Sequence, residues 1–345
     1  MSALVATDLE PAAALAAKVR FLERPESYPE PTSRVRAIET HMSWVFVTDT
    51  LVYKMKKPVR LPYLDFSSLN GRRRCCEESL RLNRRLAASV YLDVVPLTRE
   101  WDGRLKIGGS GRPVEWLEKM RRLPQALMLD VAIARGTVSE RDVRRFALVL
   151  ARFYRSALPV SLSPAAFRRR LLRSIEDNLK ALRADEFGLD RARLGRVASA
   201  QRGFLEREAG LLDARVAAGR VIEAHGDLRP EHVCLLTRPV FIDCLEFNRD
   251  FRVMDVADEL SYLAMECEFA GASFVGPLLF DTYVKETGDR IPVRLIGFYQ
   301  SLHGMVRAKL AAWHLPDYPA DTHPGWLGQA AAYLDLAERH LPDFT

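Results

Sequence analysis

The spacing of hydrophobic and polar positions changes character along the chain. Residues 11–24 read as a helix, followed by a Pro-rich connector, Pro25 to Pro31. From residue 41 the period shortens to two. Ser43-Trp44-Val45-Phe46-Val47 and Leu51-Val52-Tyr53-Lys54-Met55-Lys56 flank Thr48-Asp49-Thr50, which predicts two strands around a tight turn. Helical spacing returns over 72–87, after Asn70-Gly71, with Leu80, Leu82 and Leu86 among charges. Val90 to Thr98 reads as a strand, and Arg104–Ile107 with Val114–Met120 as a hairpin joined by Gly108-Gly109-Ser110-Gly111. Beyond Leu123-Pro124 the pattern is mostly helical, over 125–134, 139–156, 164–184 and 191–218. Three short strand signals follow, at Val221–Ala224, Val233–Leu236 and Val240–Ile242, before helices at 255–268, 274–286, 292–313 and 325–340. The expected architecture is α+β: a β-rich N-terminal lobe over 1–120, and a helical lobe over 121–345 with one polar β-loop insert.

Composition narrows the class. The 345 residues are 48% hydrophobic and 28% charged, ordinary for a globular protein and long enough for about two domains. The net charge is +6, but only nine of the 51 basic residues are Lys and the basic residues are interspersed with acids, so nucleic acid is not an expected partner. Five cysteines with no CxxC pair and no His/Cys spacing for zinc fit reduced thiols in a cytoplasm. Asp8 and Glu10 precede the Ala-rich run at 11–17, unlike a signal peptide, and no stretch of about 18 uncharged apolar residues predicts a membrane span.

The chemistry concentrates in His225-Gly226-Asp227-Leu228-Arg229-Pro230-Glu231-His232-Val233, followed by Phe241-Ile242-Asp243. Two carboxylates at the mouths of short apolar strands suit phosphoryl transfer, one toward an attacking hydroxyl and one toward Mg²⁺ on nucleotide phosphates. A lone His-x-Asp is usually structural; the ordered set is not. His-Gly-Asp-Leu-x-Pro-x-x-Val with Phe-Ile-Asp resembles the signature of the aminoglycoside phosphotransferase and choline kinase family, whose fold is protein-kinase-like and two-lobed. The resemblance, over about residues 40–315, implies Asp227 as catalytic base and Asp243 as metal ligand. Asp255, alone an N-cap, resembles the family's Asp that opens a buried helix and braces the catalytic loop. Where the family has Asn, this chain has His232, which could bind metal, contact a phosphate or hold the loop.

The N-terminal lobe should then clamp the nucleotide. Lys54 and Lys56 share one strand face; Lys54 is favoured as the phosphate lysine, with Lys56 as the alternative and a solvated edge as the structural reading. Its implied partner is a Glu on the following helix, Glu78 in preference to Glu77. No Gly-rich loop precedes Lys54, so Ser43 is a candidate phosphate cap through its hydroxyl and backbone. Val114 to Pro124 resembles an adenine-binding strand and hinge, with Met120 as contact. Glu39-Thr40-His41, Ser43 to Phe46 and the helix from Tyr299 to Lys309 resemble a bacterial subgroup sometimes joined to a P-loop kinase domain; no Walker loop occurs in this sequence.

These features imply an ATP- and Mg²⁺-dependent phosphotransferase acting on a small-molecule hydroxyl. Eight acids against two bases over 243–268 leave a cationic sugar or amine as an acceptor. A nucleotide-binding pseudokinase with a regulatory role is the alternative, favoured by His232 and the missing glycines.

Overall fold

The period-two segments of the first 121 residues close into one antiparallel sheet, and the helical spacings beyond residue 128 become a helical unit. The structure, a computed structural model, describes residues 12–61, 64–184, 187–315 and 319–341. Asp8, Glu10 and Pro11 lie outside the described residues.

In chain order the first elements are α1 (Ala12–Leu22), β1 (Arg36–Glu39), β2 (Ser43–Val47), β3 (Leu51–Lys56), β4 (Arg60–Leu61), β5 (Leu64–Asp65), α2 (Leu69–Ala87), β6 (Tyr91–Arg99), β7 (Leu105–Ile107) and β8 (Arg112–Arg121). Next come α3 (Leu129–Ala134), α4 (Glu140–Ser156), α5 (Pro164–Leu182), α6 (Arg191–Arg207), α7 (Ala209–Ala217), β9 (Val221–Glu223), β10 (Val233–Cys234) and β11 (Val240–Phe241). The chain continues through α8 (Arg249–Arg252), β12 (Val253–Asp255), α9 (Val256–Phe269), α10 (Val275–Thr287), α11 (Val293–Ala312) and α12 (His323–Arg339).

Two compact units result. One holds the residues up to Leu127 together with Val240–Asp250; the other holds Met128–Pro239 and the chain from Phe251 onward. This differs from the expected division at residue 120, and it moves Asp243 from the helical part to the β-rich one. Nothing in local spacing announces that an eleven-residue segment leaves the helical unit and returns to it.

The first unit is built on a six-stranded sheet of order β1-β2-β3-β8-β6-β7. Its apolar face buries Phe46, Tyr53, Met55, Leu97 and Leu117 with Leu22 of α1. Helix α2 starts at Leu69, earlier than its spacing predicts, because Ser68 caps it by accepting from the Gly71 N–H at 3.0 Å. Its inward face carries Arg72, Cys75, Cys76, Ser79, Leu82 and Asn83. Buried Glu115 of β8 ties both helices to the sheet, taking Lys18 of α1 at 2.9 Å and Arg72 of α2 at 2.8 Å. Strand β1 was not foreseen: it is largely exposed, so no buried period marks it.

The second unit packs α5, α6, α9, α11 and α12 around Ile175, Val197, Phe204, Met265, Phe298 and Tyr299, with the Phe204 and Phe298 rings stacked 4.4 Å apart. The predicted 191–218 helix is broken at Glu208, whose φ of −103° and ψ of 22° leave the helical range. Helix α9 is buried all round from Val256 to Cys267, and β12 pairs with β9 at its entrance. All five cysteines are buried and free of disulfides. Burial pushes the Cys234 thiol up to about 11. No described helix is long and apolar enough to cross a membrane.

Candidate active site

In the first unit, strand alternation sends Leu51, Tyr53 and Met55 into the core and leaves Lys54 and Lys56 on the opposite face. Lys54 Nζ lies 2.6 Å from Asp243 Oδ1. Asp243 follows β11 by two residues and has φ +61°, the one positive φ outside glycine among the described residues. Left-handed backbone costs an ordinary L-residue roughly 1–2 kcal/mol, less for Asp, so it persists only where its surroundings impose it. Here the Asp243 N–H donates to Tyr91 Oη and the Cys244 N–H to Asn83 Oδ1, each at 2.9 Å. The Asp243 side chain stays 44% exposed, which leaves its carboxylate accessible. Burial works against the Lys54 charge, but Asp243 beside it wins and holds the ammonium above the usual lysine range.

Lys56 has a different setting. It is 1% exposed, with Nζ 2.9 Å from Glu118 Oε1 and 2.5 Å from Glu246 Oε1. Burial opposes its charge; Glu118 and Glu246 outweigh burial and push its pKa well up. Glu118 also accepts from Ser79 Oγ at 2.8 Å. Glu246 and Asp243 therefore fasten one short segment to one strand face through two lysines two residues apart.

The helix partner expected for Lys54 is not found there. Glu78 turns to Arg81, which meets both its oxygens at 2.7 Å, and Glu77 pairs with Arg73 at 2.8 Å; both lie off the inward face of α2. The carboxylate opposite Lys54 in the strand register is Glu118 of β8. Glu78→Ala is therefore expected to shift stability by about 0.5 kcal/mol or less and to leave ligand binding unchanged, read by thermal unfolding with and without nucleotide. Ser43 sits opposite Lys56 and is 3% exposed, but its N–H is already given to Thr40 Oγ1 at 3.0 Å, so its backbone does not serve as a phosphate cap. Met120 is half-buried inside β8, with Val52 on one side and Tyr91 on the other.

In the second unit, β9 leads into the His225-Gly226-Asp227 loop. Gly226 has φ +86°, and at this bend the N–H groups of His225 and Gly226 both reach Glu259 Oε1 at 2.7 Å. Glu259 is fully buried in α9, and its other oxygen accepts from Tyr154 at 2.7 Å. The brace on the loop is therefore Glu259, not Asp255. Asp255 opens α9 as expected, capping the Ala257 N–H at 3.0 Å, but its carboxylate is given to Arg215 at 2.7 and 2.9 Å and to Tyr299 at 3.2 Å. One helical turn separates the two acids, and only the buried loop backbone distinguishes them.

Asp227 is held from several sides. Tyr262 donates to Oδ1 at 3.2 Å, Arg229 Nε is 3.0 Å from Oδ1, and Arg229 Nη2 donates to Oδ2 at 3.2 Å. Arg229 Nη1 also meets Glu231 at 2.5 Å. Burial raises the Asp227 pKa, but Arg229, His232 and Arg307 together outweigh it and hold the carboxyl below the usual aspartate range. His232 Nδ1 sits 2.7 Å from the Asp227 carbonyl, and the residue is 7% exposed. Through Nδ1 the His232 ring ties the loop back to the Asp227 backbone. Among the described residues no three His, Cys, Asp or Glu side chains converge on a metal position. That donor set fits Mg²⁺ only in its usual nucleotide-bound mode, with one carboxylate plus phosphates and water.

The acids of 243–268 are largely committed. Asp258 pairs with His303, Glu266 with Arg307 and Glu268 with Arg339, besides the pairs of Asp243, Glu246 and Asp255 above. The cation-attracting wall inferred from their number is thus mostly neutralised. Sequence reasoning missed Glu118, Glu246, Glu259 and Tyr262; an acid one turn beyond Asp255 in an apolar helix was a readable sign of Glu259 alone.

No protein-family model matches the chain. An uncharacterized protein of Mycobacterium tuberculosis is 30% identical over 324 residues, with 92% of this chain aligned, and an uncharacterized Mycobacterium bovis protein matches equally. The chain spans 61% of the length of these curated relatives. Among solved structures, a choline/ethanolamine kinase family protein from Mesorhizobium loti superposes with a TM-score of 0.55 at 16% identity, covering 95% of this chain and 97% of that one. An aminoglycoside phosphotransferase solved with GDP and kanamycin gives 0.54 at 13% identity, covering 94% and 99%. A β-rich unit carrying Lys54 and Asp243, a helical unit carrying Asp227, and these end-to-end superpositions together give the chain the kinase-like α+β fold of the aminoglycoside phosphotransferases and choline/ethanolamine kinases.

Proposed function

We propose that the protein is an ATP- and Mg²⁺-dependent kinase that transfers the γ-phosphoryl group to a hydroxyl of a small molecule. The observation that carries this reading is the Lys54–Asp243 pair at 2.6 Å, a part-buried ammonium beside an accessible carboxylate. Lys54 would meet the phosphate oxygens of a bound nucleotide, and Asp243, whose carboxylate is accessible, would hold the metal. Mg²⁺, when bound with the nucleotide, neutralises phosphate charge. Asp227, ionised at neutral pH, accepts the proton-bearing side of the acceptor hydroxyl and orients it for in-line attack. His232 and Glu259 keep the loop from moving during that alignment.

The structural neighbours favour small-molecule acceptors, and the GDP complex of one of them makes GTP a donor to compare with ATP. A regulatory pseudokinase is the second reading, favoured by the Arg229 fork across the Asp227 oxygens. Thermal-shift measurement with ATP or GTP, Mg²⁺ or Mn²⁺ and a panel of hydroxyl compounds tests both. Stabilisation that rises with nucleotide concentration, plus phosphoryl transfer absent in Asp227→Asn, supports the kinase. Nucleotide stabilisation with no turnover across the panel supports the pseudokinase.

A further inference from the structure

One carboxylate oxygen of Asp227, Oδ1, touches a residue that the phosphotransfer reading does not use. Tyr262 of α9 is 4% exposed and donates its hydroxyl to Asp227 Oδ1 at 3.2 Å. Its ring lies flat on His303 of α11, with centroids 4.2 Å apart and planes 6° from parallel. His303 is itself fixed, since Nε2 meets Asp258 Oδ1 at 2.6 Å and Asp258 is 5% exposed. Asp258 lies four residues before Tyr262 on the same helix, so the two project from one face one turn apart. His303 reaches from the neighbouring helix to bond one and stack on the other.

We propose that Asp258 and His303 form a clamp that positions Tyr262, and that Tyr262 in turn sets the rotamer of Asp227. A phenol rotates about two side-chain bonds, and its hydroxyl reaches Asp227 only while the ring plane is held. The stack fixes that plane. The Asp258 bond fixes the imidazole, which otherwise turns about its own χ2. Arg229 and, more distantly, His232 draw the Asp227 carboxylate from the loop side and Tyr262 from the helix side, so the loss of Tyr262 hands the orientation to the loop-side groups. Tyr262 is thus a positioning residue, with His303 and Asp258 acting through it. The proposal rests on the kinase reading for its consequence, and on the geometry of one helix pair for its existence.

Two measurements on the full chain test it. In the first, tyrosine rings are isotopically labelled and the Tyr262 signals followed by NMR. Separate signals for the two ring edges are expected in the wild type, merging in Asp258→Leu and staying separate in Asp258→Asn, whose amide oxygen still accepts from His303. Merged signals in the wild type overturn the clamp. In the second, phosphoryl transfer is compared between wild type and Tyr262→Phe, which keeps the stacked ring. A fall in kcat of about tenfold to a hundredfold is expected, with nucleotide KM and melting temperature unchanged. A kcat within twofold of wild type, or a change in nucleotide KM alone, overturns the positioning role. If neither wild type nor Asp227→Asn turns over, the kinase reading fails, and the ring signals still decide the clamp.

Discussion

Asp227→Asn is expected to lower phosphoryl transfer by about a thousandfold while nucleotide-dependent stabilisation persists. Removing a positioned proton acceptor typically costs about 10²–10⁴ in rate, and the amide cannot accept the hydroxyl proton. Nucleotide binding is assigned to Lys54 and Asp243, which this change leaves intact. Steady-state transfer by the purified variant, alongside its thermal shift with Mg·ATP, reads both quantities. The loss has a pH counterpart. The folded-state pKa of Asp227 lies below its unfolded value, so the ion pair with Arg229 contributes stability above the ordinary aspartate range. That contribution disappears as pH falls through the lowered value. Transfer should therefore hold level from neutrality into mild acid as far as Asp227 governs it. An acid limb beginning near pH 6 to 7, the region where histidine titrates, would show that another group controls the step.

The second large effect separates the two lysines that share one face of β3. Lys54→Met is expected to cost about 10²–10³ in kcat/KM for the nucleotide, as loss of a charge aimed at developing phosphate charge does. Its effect on folding should be small, because Asp243 is 44% exposed and water replaces the ammonium. Lys56→Met should do the reverse. It strands Glu118 and Glu246, 2% and 10% exposed at the side chain, without their cation. Breaking a buried pair in this way destabilises by about 3–5 kcal/mol, a drop of several degrees in melting temperature. Unfolding curves and nucleotide kinetics on the two variants check the assignment. Equal melting losses, or a larger kinetic loss in Lys56→Met at a temperature where it is folded, would reverse the two roles.

Both expectations depend on features of different origin. The Asp227 loop was legible because its chemistry is local: a strand end, a glycine bend and a proline within a dozen residues. The same holds for the β3 lysines, whose shared face follows from strand alternation. The partners were not legible. Glu118 meets Lys54 and Lys56 only through the β3–β8 register, 64 positions along the chain from Lys54. Glu78 and Ser79 are neighbours in sequence, yet only Ser79 faces the sheet, because the rotation of α2 is set by Leu82 and the Arg72–Glu115 pair. Met120 shows the same limit from the other side: its place inside β8, between two strands, follows from sheet order.

By itself, then, the amino-acid order determined most of the succession of strands and helices, the Asp227 loop and the acid that follows it, since periodicity, turn residues and short motifs act over a few residues. The tertiary structure decided which carboxylate neutralises which cation, that Glu259 and not Asp255 holds the loop, and that the segment around Asp243 belongs with the sheet. Those outcomes turn on distances of about 3 Å between side chains far apart in sequence. At that range a charge or hydrogen bond is strong, one turn of helix further away it is weak, and only packing fixes which applies.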